Sequence, residues 1–431
     1  MAATGTGATD DTQEEKTVGA GASPAASALP DQGAWLRLVL LAAVFAVPAT
    51  LAAVYFVKVS RWLTGILWDR LPAATGLPHE AFLLAIPVLG GLVVGLVITF
   101  APGHGGPDSG ASRGMGGRAG TLRELPGTLA ASLVSLASGP SLGPEAPLVG
   151  IIGTLGGATS SALHLPPEAG RALGIAGLAA LFGGLFGNPL ASALFILEVT
   201  PLAGRQLYRR VMPALVASTV GVYVFNTFDG KPFANFHFPD YPGQEPWHLL
   251  VAVAMGIGGA FVGLGYVRLS KVTRRFLARL DSQVVVKAML GGLVVGLIAI
   301  VFGEVTLFSG EAEIQEIIDK GPQMAAITLV GIAAAKMLAA VVSINTGFRG
   351  GRVFPVLFIG GTLGMAVHVV FPWIPVALLL ATGMAGLGIA TFRFPLFLTV
   401  VLIPFTSLEV APFTMLAAIA SWVIVDGHDE L

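Results

Sequence analysis

The carboxylate best placed to do chemistry in this sequence is Glu145. It stands in the run Gly139-Pro140-Ser141-Leu142-Gly143-Pro144-Glu145-Ala146-Pro147, where glycine and proline separate two apolar segments. Apolar residues resume at Leu148, which places Glu145 near a helix N-terminus. Such an end carries roughly half a positive charge and free N–H groups. It can therefore hold a carboxylate, or an anion that displaces the carboxylate. The plainer reading is an acidic first-turn residue that only stabilises its own helix, and the run alone leaves both open.

Two further breaks share this grammar. Gly347-Phe348-Arg349-Gly350-Gly351-Arg352-Val353-Phe354-Pro355 has glycines, then apolar residues and a proline in the first helical turn, where proline is tolerated. The third is Gly103-His104-Gly105-Gly106-Pro107-Asp108. Three Gly-rich breaks that each open a helix can direct their positive ends at one point. Neither GxxxxGK[ST] nor GxGxxG occurs, so a nucleotide-phosphate loop is a poor alternative. The seven histidines are scattered and no His-Glu-x-x-His is present. There is thus no case for a catalytic constellation, a metal site or a cofactor. Lys336 sits inside an apolar stretch, where a lone cation is expensive, and pairing with a carboxylate or with helix-end carbonyls in a structural role is expected.

The elements that must position these residues are membrane helices. Of 431 residues, 54% are hydrophobic and only 11% charged, against about 25% charged in ordinary soluble domains. Apolar stretches recur at Leu36–Val57, Phe82–Phe100, Leu249–Tyr266, Val284–Phe302 and Met324–Ile344. A helix needs about 20 apolar residues to cross a bilayer, so an all-α polytopic membrane protein is predicted. A charge at membrane depth costs at least ~2.5 kcal/mol on insertion scales, which strengthens the functional reading of Glu145. The 57 glycines suit close helix approach in lipid. With no cysteine there are no disulfides or thiolate sites, and a net charge of −1 gives no case for nucleic acid.

Spans are expected at 34–57 and 81–100. Segments 125–138, 146–163, 171–186 and 189–202 read as too short or interrupted to be simple spans. A further span follows at 211–225. The second half repeats the rhythm: long spans at 247–266, 284–302 and 324–344, a Gly-rich break at 346–352, then shorter segments to Val425. Matching interruptions in two halves point to structural repeats around a central binding site. The expected organisation is a disordered cytoplasmic tail at 1–33, a first membrane repeat at 34–227, an extracellular loop at 228–245, a second repeat at 246–426 and a short tail at 427–431. Basic clusters at Arg113, Arg118 and Arg123, at Arg205, Arg209 and Arg210, and at Arg268, Lys271, Arg274, Arg275 and Arg279 would lie inside. The loops at 226–246 and 303–320 would lie outside.

The breaks, taken in order, resemble the CLC family of chloride channels and chloride/proton exchangers over roughly residues 34–426. Gly143-Pro144-Glu145-Ala146-Pro147 resembles Gly-Lys/Arg-Glu-Gly-Pro, whose glutamate is that family's external gate. Gly351-Arg352-Val353-Phe354-Pro355 resembles Gly-x-Phe-x-Pro. Gly103-His104-Gly105-Gly106-Pro107 resembles Gly-Ser-Gly-Ile-Pro, whose serine faces the central anion. Asn188-Pro189-Leu190-Ala191-Ser192-Ala193-Leu194-Phe195-Ile196-Leu197-Glu198 resembles Asn-x-Pro-Leu-Ala-Gly-x-Leu-Phe-x-x-Glu. The resemblance implies a CLC-like inverted repeat with discontinuous helices converging on a midplane anion site. It implies gating by Glu145 and anion contacts from His104, Gly105, Gly143, Pro144, Ala146, Val353 and Phe354. It puts Gly351, Arg352 and Glu198 along the pathway or at its mouth, where Arg352 would attract anions. It further implies a homodimer in the cell membrane that moves small inorganic anions, chloride first.

Several positions depart from the family pattern. Histidine replaces the central serine, and an even choice remains between an anion ligand and a polar loop residue. Val353 stands at the family's aromatic position. Val199 replaces the glutamate at which protons enter in exchangers, and no pore tyrosine follows the last apolar segment. Glu198 is expected to cap a helix or pair near Arg205 rather than relay protons. These departures predict weak or absent proton coupling, with a coupled transporter of another small anion or solute as the alternative.

Overall fold

A computed structural model describes residues 32–106, 120–199 and 204–428. The tails expected at 1–33 and 427–431 fall largely outside these residues, as do Arg113 and Arg118. Among the described residues the structure is helical with no named strand. Helix α1 (Gln32–Gly65) continues through a π-helical turn into α2 (Leu71–Thr75), and α3 (His79–Phe100) follows. Then come α4 (Leu125–Ala137), α5 (Glu145–Ala162), α6 (Pro167–Phe186), α7 (Pro189–Val199) and α8 (Gly204–Asp229). The second half holds α9 (His248–Leu277), α10 (Val284–Phe302), the short α11 (Glu313–Lys320) and α12 (Ala326–Asn345). It closes with α13 (Val353–Val370), α14 (Val376–Phe392), α15 (Pro395–Leu402) and α16 (Ala411–Val425).

Nine helices among the described residues are long and apolar enough to cross a bilayer. Three of them correct the sequence reading: α6, α13 and the span Leu408–Val425 that contains α16. Pro167 and Glu168 open α6 four residues before the apolar run, because proline and an acidic side chain both suit a first turn. Helix α9 runs eleven residues past Tyr266, so Arg268, Lys271, Arg274 and Arg275 ride on a helix rather than in a loop. Large apolar side chains such as Val44, Tyr55, Leu250, Phe261 and Ile327 remain exposed on the long helices. Hydrocarbon, not water, is the medium that tolerates a surface of that kind.

The halves meet along α3 and α10, and glycine makes that seam possible. Added Cβ atoms would lie 2.4 Å from the Ala288 carbonyl at Gly91 and 2.0 Å from the Pro87 carbonyl at Gly292. Gly95 and Gly296 repeat the spacing four residues on. Backbones this close gain packing energy that lipid cannot compete away. Helix α13 packs on α12 and α14, and α14 on α9. These elements hold the second Gly-rich break deep in the protein.

Candidate functional site

Neither α5 nor α13 has a side-chain cap of its own. The glycine-rich segments before them meet instead. Gly143 N–H donates to the Gly351 carbonyl at 2.8 Å, and Gly351 N–H donates back to Gly143 at 2.7 Å. This two-bond bridge sets the start of α5 beside the start of α13. Glu145, the first residue of α5, then caps α13: its Oε1 accepts the Val353 N–H at 2.7 Å. The side chain is only 3% exposed, and its Oε2 is buried with no partner.

The two glycines exist to make room for that carboxylate. A Cβ on Gly143 would lie 2.1 Å from Oε2, and one on Gly351 would lie 2.0 Å from Oε1. Any side chain at either position drives the carboxylate out of its seat. The charged group that bears on Glu145 is Arg352, the residue before α13. A carboxylate held by one helix-end amide, with an oxygen unpaired, occupies a place that another anion could take.

The third break is tied to the same point. His104 and Gly103 have positive φ (50° and 74°). Arg349 reaches across from the break before α13, and its Nη2 donates to the His104 carbonyl at 3.0 Å. Arg349 N–H donates to Ser135 Oγ of α4 at 2.9 Å. The His104 ring is exposed, and its Nδ1 lies 3.0 Å from the Ile98 carbonyl. A carbonyl only accepts, so Nδ1 is the donor in this contact.

Other expected site residues resolve into packing and backbone roles. The Phe354 ring lies 5.0 Å from Phe233 and 5.7 Å from Phe186, inside an aromatic core. Gly105 and Pro144 are buried, and Ala146 is half-buried. Glu198 stands elsewhere: its Oε1 accepts Leu396 N–H at 2.7 Å and its Oε2 accepts Phe397 N–H at 3.0 Å. It thus caps α15, while the Arg205 side chain, its expected neighbour, lies outside the described residues. Lys336 is fully buried. Its ammonium donates to the Val305 carbonyl at 3.1 Å and to the Leu307 carbonyl, and lies 4.8 Å from the centre of the Phe358 ring. This is the use of carbonyls expected for an intramembrane lysine.

The sequence reading missed several polar groups. The Ser132, Ser138 and Ser141 hydroxyls and the Tyr266 hydroxyl are buried without partners. For Tyr266 the available signal was a hydroxyl near the middle of a long apolar helix. On the α1 side of Pro144 a cavity of about 330 Å³ opens, lined among others by Leu142, Arg61, Asp69, Phe233, Glu311 and Glu313. Burial pushes the Glu311 carboxyl up to about 7; Arg61 opposes this and Glu313 adds to it.

Helices that start in glycine breaks and turn their free ends on a single buried carboxylate define a class of membrane channels and transporters for anions, not enzymes. The chain belongs to the voltage-gated chloride channel family, whose model matches residues 89–426. It is 31% identical over 414 residues to the "Putative ion-transport protein YfeO" of Salmonella schwarzengrund, covering 92% of this chain and 96% of that one. Its fold resembles that of a slow cyanobacterial Cl−/H+ antiporter, with TM-score 0.77 and 19% identity over 90% of this chain and 94% of the other. It also resembles a CLC-type fluoride/proton antiporter, with TM-score 0.72 and 20% identity over 92% and 97%.

Proposed function

We propose that this protein moves small inorganic anions, chloride first, along a pathway gated by the Glu145 carboxylate. The observation that carries this reading is the Glu145 seat: one oxygen on the Val353 amide, the other buried and unpaired, with glycine on both sides. Protonation or displacement of the carboxylate frees the α13 amide for the passing anion, whose lost hydration the helix-end N–H groups replace. His104 and Gly105, with Gly143, Pro144, Ala146, Val353 and Phe354, line the route, and Gly351 and Arg352 flank it. Anion flux from purified protein in liposomes is the direct test, run over fluoride, chloride, bromide and nitrate with and without a proton gradient. Absence of flux for every anion, from protein that is folded and inserted, would refute the proposal.

Proton coupling of the antiporter type is weak or absent in this reading. Both oxygens of Glu198 are occupied by α15 amides, and valine follows it at position 199. An imposed anion gradient should therefore drive no stoichiometric proton movement; proton pumping abolished by Glu145→Ala would contradict this. We further propose a homodimer in the cell membrane with a cytoplasmic N-terminus. Its inverted repeats would span 34–227 and 246–426, with 228–245 and 303–320 outside. Labelling that put residues 235 and 274 on the same side of the membrane would overturn the topology.

A further inference from the structure

Helix α9 outruns its neighbours. The helices packed along it are α12, α14 and α16. Helix α12 ends at Asn345, whose Nδ2 donates to Ser270 Oγ at 3.1 Å. Helix α16 ends at Val425, which clusters with Ala260 of α9 and Ala390 of α14. Helix α9 continues from Ser270 to Leu277, about 10 Å further at 1.5 Å per residue.

One face of α9 is uncovered from Leu250 to Arg275. Leu250, Ile257, Phe261, Arg268, Val272 and Arg275 are spaced by three, four or seven residues, which keeps them on one stripe, and all of them are exposed. Phe276 borders that stripe and is exposed too. The stripe changes character once. Up to Phe261 it is apolar, and such a surface belongs against acyl chains. From Arg268 on, arginine alternates with valine and phenylalanine, and Arg279 follows in the turn beyond the helix. Among the described residues Arg268, Arg275 and Arg279 form no ion pair, and Asp281, the carboxylate next in sequence, is taken by Lys287 at 2.7 Å. Attraction to a helix C-terminus acts within the last turn, so it accounts for Arg275 but not for Arg268.

We infer that Arg268, Arg275 and Arg279, with Val272 and Phe276 between them, bind the phosphate headgroup of an anionic phospholipid. A stripe that lies against acyl chains for about three turns meets, at its next step, the phosphates to which those chains belong. Guanidinium pairs phosphate through two parallel N–H donors. The arginine stems, Val272 and Phe276 lie against the upper part of the acyl chains. A second copy of this chain is the poorer occupant, because a two-fold contact here would set the arginines against themselves.

The test uses the purified, delipidated full chain in detergent, with bound lipid counted by native mass spectrometry as phosphatidylglycerol or phosphatidylcholine is added. The wild type should retain phosphatidylglycerol in preference to phosphatidylcholine. Glycerol 1-phosphate, the same phosphate without acyl chains, should not displace it. Arg268→Gln combined with Arg275→Gln should weaken phosphatidylglycerol roughly thirtyfold, about fivefold for each near-surface charge, and leave phosphatidylcholine unchanged. Arg274→Gln removes the same charge about 100° around the helix from Arg275 and should change the affinity less than about twofold. These side chains are exposed, so each variant should melt with the wild type in lipid-free detergent. A double variant that holds phosphatidylglycerol as the wild type does would overturn the site, and equal weakening by Arg274→Gln would reduce it to bulk charge. Displacement by glycerol 1-phosphate would assign the arginines to free phosphate instead. A changed oligomeric mass with unaltered lipid binding would overturn the site in favour of a contact between copies.

Discussion

Two glutamates in this molecule sit at helix N-termini supplied by distant parts of the chain, and they are used differently. Glu198 caps α15 with both oxygens, at 2.7 and 3.0 Å, and is half-buried. Glu145 caps α13 with one oxygen at 2.7 Å and leaves the other buried and unpaired. The same chemistry thus yields a saturated cap in one place and an unsaturated one in the other. A satisfied carboxylate is stable where it stands and gives nothing up when left alone. An unsatisfied one can be protonated or displaced at lower cost, because part of its desolvation is never repaid. Lys336 falls on the saturated side, with its ammonium shared by the Val305 and Leu307 carbonyls.

The comparison is broken most forcefully at Glu145. Glu145→Gln should keep the melting temperature within a few degrees while changing anion flux by tenfold or more and flattening its dependence on pH. If both Glu145→Gln and Glu145→Ala follow the wild-type flux curve across the pH range, the unpaired oxygen has no gating role. Gly351→Ala should come next. Its Cβ would collide with Oε1, so the carboxylate must leave and the flux should approach that of Glu145→Ala. A Gly351→Ala protein with unaltered gating would show that the seat is looser than its geometry implies.

Glu198→Ala should have the opposite signature. Two amides at the start of α15 lose a charged acceptor, which should cost about 1–3 kcal/mol. Flux per folded molecule should change less than about twofold, as read by liposome assays on protein quantified after chromatography. Loss of function without loss of stability would move Glu198 to the functional side. The smallest expected effect is at Glu311. Its carboxyl, pushed up to about 7 by burial, is neutral in acid and charged in alkali. Its folded value lies above the ordinary carboxylate value, so its stabilising contribution is present below that ordinary value and is lost as pH rises through about 7. Losing the charge as pH falls also makes the cavity outside Pro144 more hospitable to anions. Flux should rise modestly on acidification within roughly a unit of that pH, and Glu311→Gln should flatten this component while leaving the larger Glu145 component in place.

Composition and periodicity alone determined that the chain is an all-helical membrane protein, because uncharged runs of about 20 residues have few other stable uses. The run 139–147 placed Glu145 at a helix start without any tertiary information, since Gly-Pro punctuation ends one helix and frees the next. The limits of α10 at Val284–Phe302 were likewise legible, because that helix is apolar throughout except for Lys287 in its first turn. Helices α6 and α9 were misjudged at their ends, where polar residues continue a helix that the apolar pattern no longer marks.

What the linear pattern does not contain is partnership at a distance. Gly143 and Gly351 are bridged across 208 positions, and Glu145 and Glu198 cap helices that begin about 200 residues later. A capping motif is visible in sequence only when donor and acceptor are local. The unpaired Tyr266 hydroxyl is hidden for the same reason, since its burial depends on the side chains of α12, α13 and α14 that cluster with it. Hydropathy selects the solvent of each segment, one residue at a time. Whether a buried polar atom is satisfied depends on every element around it, and only the tertiary structure decides that.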